Sequence, residues 1–178
     1  MRMNEGVEWA AHCCILLDWL GDGESGDNEF GDGGSLPDRA PVPAARLAAA
    51  FEVPPAYLNK QLQALTKAGI LASVPGVRGG FRLNRPLTQI TMMDVVAAIE
   101  GPDEAFTCTE IRRRGAGAQT PPSAAAMRKP CGISAAMRAA EMAWRRSLAG
   151  TTLAALKAGA ERDSPRVGER MRGWHARY

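Results

Sequence analysis

No apolar run in this chain is long enough to cross a bilayer; the stretch from Trp9 to Leu17 has only nine residues and includes His12. Aromatic residues are scarce at 6%, although apolar residues as a whole reach 46% and alanine supplies many of them. That balance favours helices over a β-sandwich or barrel. Glu5 and Glu8 fall where a secretory segment would have to be uncharged, so neither export nor membrane insertion is expected, and the expected location is cytoplasmic. Cysteine is limited to Cys13, Cys14, Cys108 and Cys131, too few and too scattered for a disulfide framework, which suits a reducing compartment. The signatures of enzymes are missing as well. There is no phosphate-binding loop, zinc-protease helix or nucleophile elbow, and His12 and His175 are the only imidazoles. No enzymatic activity and no small-molecule substrate are expected.

What is present is a sharp division of charge. Residues 1–41 hold nine acids and two bases, whereas residues 42–178 hold ten acids and twenty bases. A basic body of this kind suggests a polyanionic partner. At 178 residues the chain is large enough to bury a core in one domain with attached elements.

Val7, Ala11, Cys14 and Leu17 recur at helical spacing and predict a first helix over about 4–20. Cys13 and Cys14 read as structural, Cys14 as a small core residue. The glycine- and acid-rich stretch 21–40 has almost nothing to bury and reads as a flexible, dispensable insertion between two helices of one domain. Val42, Leu47 and Phe51 suit a short helix, with Pro43 in its first turn. Pro55 can start a second helix that stops near Gly69, with Leu58, Leu62 and Leu65 inward and Ala56, Lys60, Gln63 and Lys67 outward. Two short helices joined by a tight turn make a helix-turn-helix candidate. Residues 70–74 and 81–83 then read as strands around a Pro-Gly turn, a hairpin placed like a wing. From Arg46 to Arg85 six bases face a single acid, Glu52, so charge concentrates where phosphates would be met. A further helix is expected over 90–100, with Thr91 as N-cap and Gly101-Pro102 as stop. Residues 107–130 read as a long loop. Ile133, Met137, Ala140, Trp144 and Leu148 trace a long amphipathic helix whose stripe suggests dimerisation. From Gly159 onward the charged tail is expected to fray.

The residues 42–83, with Pro55-Ala56-Tyr57-Leu58, Leu65-Thr66-Lys67-Ala68-Gly69-Ile70-Leu71 and Gly76-Val77-Arg78-Gly79-Gly80-Phe81-Arg82-Leu83, resemble the winged-helix head of the IscR/NsrR-type family of bacterial regulators. The match continues in Ile90-Thr91-Met92-Met93-Asp94-Val95-Val96 and in Gly6-Val7-Glu8-Trp9-Ala10. The acidic insertion departs from that family's short connection. The resemblance implies a mainly α fold with a small β-hairpin wing, and a homodimeric transcription regulator that binds double-stranded operator DNA at an inverted repeat. It places DNA contacts at Ala56, Tyr57, Asn59, Lys60, Gln63, Arg78 and Gly79. It also divides the chain into a winged helix-turn-helix domain over 1–105, a cluster-binding loop over 106–132, a dimerisation helix region over 133–158 and a polar tail over 159–178.

The three closely spaced cysteines common in that family are missing, since no third cysteine lies between Cys108 and Cys131. The chain is instead similar to the RsrR-like branch, in which two cysteines, a histidine and a glutamate hold a [2Fe–2S] cluster. The matching positions are Glu8, His12, Cys108 and Cys131, within Val7-Glu8-Trp9-Ala10-Ala11-His12 and Phe106-Thr107-Cys108-Thr109-Glu110-Ile111-Arg112. By that resemblance the helix ligands and the loop cysteines belong to opposite subunits. Chemistry alone offers less. Glu8 and His12 are four residues apart and so share one helical face, a spacing equally typical of an ordinary helix-surface pair. Two cysteines that far apart make no compact metal motif. The leading expectation is a redox-sensing, cluster-bearing regulator; the alternative is a cluster-free member of the family with Cys108 and Cys131 as a thiol switch, or a constitutive repressor.

Overall fold

The computed structural model describes residues 4–21, 39–120 and 122–177. The stretch read as a flexible insertion therefore lies, from 22 to 38, outside the described residues. In chain order the helices are α1 (Glu5–Gly21), α2 (Ala44–Ala50), α3 (Pro55–Lys67) and α4 (Met92–Glu100), with the hairpin β1 (Leu71–Val74) and β2 (Gly80–Leu83) between α3 and α4. Two single-turn helices follow, α5 (Ala116–Gln119) and α6 (Ala124–Met127), then α7 (Gly132–Ala149), α8 (Leu153–Asp163) and α9 (Val167–Ala176). The chain forms two compact units, one of residues 103–147 and one of residues 2–102 with 148–178.

The larger unit is built around the expected leucines. Leu16 of α1, Leu47 of α2, and Leu58, Leu62 and Leu65 of α3 are almost fully buried, with Ile70, Ile90 and Val95. Each such side chain contributes roughly 1.5–3 kcal/mol by leaving water. Cys13 and Cys14 are fully buried in α1, and burial raises both thiols, that of Cys13 to about 12. Both are core-filling residues with no access to chemistry.

Two details sharpen the sequence reading. Val42 and Pro43 do not open α2 as helical residues. Val42 instead pairs with Phe81 of β2 through reciprocal backbone hydrogen bonds of 2.9 Å, and Pro43 is the N-cap. Gly80 makes this possible, because a Cβ there would stand 2.3 Å from the Val42 carbonyl oxygen. The wing is thus stiffened by a third stretch of chain. Thr91 caps α4 in a reciprocal capping box with Asp94, and Gly101, with φ of 90°, ends it in a conformation that glycine adopts at low cost.

The C-terminal end departs from expectation. Residues past Gly159 were expected to fray, yet they complete α8 and form α9. Val167, Met171 and Trp174 provide a short apolar face at helical spacing, and several polar groups tie this end to α1 and α2. Trp19 of α1 donates its indole N–H to Glu161 at 2.8 Å, Arg172 donates to the Trp19 carbonyl, and Arg46 of α2 donates to the His175 carbonyl. Gly168 sits directly against the Trp19 ring, where a Cβ would come within 2.9 Å. The long helix expected from Ile133 ends at Ala149, and its continuation starts again at Leu153 with Thr152 as N-cap.

Among the described residues no helix is long and apolar enough to cross a membrane.

Candidate functional site

The DNA-facing candidates lie on α3 and the wing. Ala56, Asn59, Lys60 and Gln63 are exposed, as is Arg78 at the wing tip beside Val77. Gly79 lies in the turn, where a Cβ would clash with the Val74 carbonyl oxygen. Tyr57 is also exposed, but its hydroxyl is already committed, donating to Oδ1 of Asn4 at 2.8 Å. Its ring packs edge-on against Trp9 with centroids 5.3 Å apart. Asn4 in turn donates its backbone N–H to Glu100, so the start of α1 ties the first turn of α3 to the end of α4. Gln61, on the buried side of α3, lies against Gly6; a Cβ on Gly6 would meet the Gln61 side chain at 2.7 Å. A polar residue on an otherwise polar helix gave no sign of that role.

Glu8 and His12 are exposed on one face of α1. They line a groove of about 540 Å³ whose other walls include Val7, Ala11, Ile15, Met92 and Leu156. The His12 ring lies 5.6 Å, centroid to centroid, from Phe51, the C-cap of α2. The helix pair expected to carry ligands therefore borders the turn of the helix-turn-helix.

Cys108 and Cys131 belong to the smaller unit, and both are free, half-buried thiols. Cys131 immediately precedes α7 and its sulfur accepts the Ser134 N–H at 3.4 Å. Between the two cysteines the chain is organised by Arg112. Its guanidinium grips the Glu110 carboxylate in a bidentate pair, which holds that carboxyl below its usual range. It also reaches the carbonyls of Ala126 and Lys129 at 3.4 and 3.2 Å. At the far side of this unit Glu141 of α7 accepts from the Ala105 N–H and from Arg145. No local signal in the sequence separates Arg112 from Arg113 and Arg114.

Among the described residues no three His, Cys, Asp or Glu side chains form a metal-binding group. The candidate ligands come as two pairs, a carboxylate with an imidazole and a thiol with a thiol. Those donor types suit an iron–sulfur group, since thiolates and imidazole both serve as ligands of such clusters, and all four side chains are at least partly open to solvent. The residues present fit the group.

A helix-turn-helix with an exposed polar face, followed by a hairpin wing in a basic stretch, defines a winged-helix DNA-binding protein. Residues 34–159 match the Rrf2 family, described as iron-dependent transcriptional regulators. The chain belongs to that family and is a DNA-binding transcriptional regulator. It is 33% identical over 154 residues to the YffB protein of Lactococcus lactis, covering 86% of this chain and 85% of that one. It is 34% identical over 101 residues to the YwgB protein of Bacillus subtilis, of which the match spans only 54%. The transcriptional regulator IscR of Vibrio vulnificus is 34% identical over 77 residues, 43% of this chain and 44% of that one. Among solved structures, IscR of T. potens superposes with a TM-score of 0.56 over 92% of this chain and 91% of that one, at 18% identity. CymR of B. subtilis, titled a global cysteine regulator, superposes with a TM-score of 0.54 over 89% and 97%, at 20% identity. The two structures share the fold.

Proposed function

We propose that this regulator senses redox state through a [2Fe–2S] cluster held by Glu8, His12, Cys108 and Cys131, and that it binds an inverted-repeat operator as a homodimer. The observation that carries this reading is the position of the Glu8–His12 pair. Trp9, next to Glu8, packs on Tyr57 at the start of α3, and His12 packs on Phe51 at the end of α2. A shift of α1 at its ligand face would thus be felt by both helices of the DNA-binding head. Held by these residues, the group would take up and release one electron, and α1 would carry the change toward the DNA-binding head. Dimerisation is supported by α7, which leaves Ile133, Met137 and Met142 exposed at 72, 43 and 52%. Apolar side chains repeated along one helix at that exposure have the character of an unfilled interface.

The deciding experiment is anaerobic purification followed by absorption spectroscopy and operator binding in oxidised and reduced forms. A visible chromophore, about two irons and two sulfides per chain, and a redox-dependent affinity are expected. Protein that stays colourless after reconstitution would favour the cluster-free reading, with Cys108 and Cys131 as a thiol switch.

The DNA face has its own test. Lys60→Ala and Arg78→Ala should each weaken operator binding, and each lost phosphate contact should lower the slope of log affinity against log salt by about one. Unchanged footprints for both variants would move the interface elsewhere.

A further inference from the structure

We propose that Arg112 is the positioning residue of the two-cysteine loop, stitching together the limb that carries Cys108 and the limb that carries Cys131. The inference deepens the cluster reading given above, but its loop-ordering half stands without it.

The geometry is specific to arginine. One limb descends from Cys108 through Glu110 to Arg112, and the other climbs from Ala126 through Lys129 to Cys131. Nε and one Nη of Arg112 engage both carboxylate oxygens of Glu110 on its own limb, the Nη bond measuring 2.8 Å. The same Nη reaches the Lys129 carbonyl, and the other Nη reaches that of Ala126, across sequence separations of 17 and 14 residues. Lys129 is two residues from Cys131, and Glu110 is two residues from Cys108, so the stitches fall close to both thiols. Glu110 itself stands at φ of 51° and ψ of 53°, a left-handed conformation that a glutamate adopts at a cost. The bidentate grip of Arg112 accounts for its persistence. The loop buries little apolar surface that could order it otherwise: no residue from Ile111 to Met127 that is described is buried. A lysine would keep the charge but has no planar fork with which to join a carboxylate and two carbonyls at once.

The test compares full-length wild type with Arg112→Ala and Arg112→Lys, each first shown by circular dichroism to keep its helical content. In iron-free, reduced protein, hydrogen exchange is read at the amides of Arg113, Arg114, Met127 and Lys129, all of which bond to carbonyls within the loop. Both variants should exchange faster there, on the order of tenfold, while amides of α3 and α4 stay at wild-type rates. Both should also take up less iron and sulfide on reconstitution. Among the chains that load, Arg112→Ala should show a lower reduction potential than wild type, because a nearby positive charge favours the reduced form, and Arg112→Lys should restore it. A merely structural residue would not produce that split. Wild-type exchange rates in both variants overturn the proposal, as does lost protection with undiminished iron uptake. If wild type takes up no iron while exchange still depends on Arg112, the loop-ordering role is supported and the cluster reading is the one that fails.

Discussion

Replacing Asp18 with alanine is expected to destabilise the protein by about 3–5 kcal/mol, the usual cost of breaking a buried ion pair by removing one partner. Asp18 lies on α1 with its side chain 12% exposed, and its two oxygens hold two cations: Arg39 at 3.1 Å and Lys157 of α8 at 2.8 Å. Arg39 is itself 9% exposed and crosses Gly21, where a Cβ would meet its guanidinium. Removal of the carboxylate takes away the anion that faces both cations, leaving Lys157 with Glu161 at 3.8 Å. At about 2–4 °C per kcal/mol for a chain of this size, the fall in melting temperature is large enough for any thermal melt to record. Replacing Asp18, Arg39 and Lys157 together with apolar residues of similar volume should recover much of the loss, since the two cations that faced Asp18 go with it. A melting temperature unchanged in Asp18→Ala would show that water or another group already neutralises the pair. The end of the acidic segment is therefore not the idle linker its composition suggests, because Arg39 pairs with Asp18 of α1.

The second large effect concerns the thiols. Cys108→Ala and Cys131→Ala should each abolish the visible chromophore and iron retention completely, because two thiolates supply half of the proposed ligand set and the strongest donors in it. His12→Cys should keep a cluster at lower potential, since replacing imidazole by thiolate adds negative charge at the iron. Cys131→Ser is the informative control. A serine oxygen can accept the Ser134 N–H as the sulfur does, so the start of α7 should remain intact while iron is lost. A full spectrum in either alanine variant would remove that cysteine from the site and overturn the four-residue ligand set.

The head of the molecule was readable because its signals are local. Leu58, Leu62 and Leu65 mark an inner face by spacing, Pro55 and Gly69 mark the ends of α3, and Thr91 with Asp94 writes a cap within four residues. The features that stayed hidden depend on pairing across space. Arg46 and His175 are 129 positions apart, Asp18 and Lys157 are 139, and nothing near any of them differs from a solvated surface charge. Val167, Met171 and Trp174 form a face too short to outweigh the surrounding arginines, so α9 read as a tail. Gln61 and Arg112 were hidden for the same reason: a polar side chain shows its role only when its partner is in view. Glu8 and His12 were singled out by resemblance, and α1 does place both on an exposed face; their spacing alone is common to many helices.

The bridge between Val42 and Phe81, together with the Arg39–Asp18 pair just before it, also bears on how the family could diversify. Chain leaving α1 at Gly21 has to return to a fixed re-entry point, one that is pinned by an ion pair on one side and by the wing on the other. Closing a flexible loop between fixed ends costs only about 0.6 kcal/mol more for each doubling of its length. The interval between those pins is thus a natural grafting port. Sequence gained, lost or exchanged there, or a reporter inserted, is expected to leave the spacing of α2 and α3 unaltered.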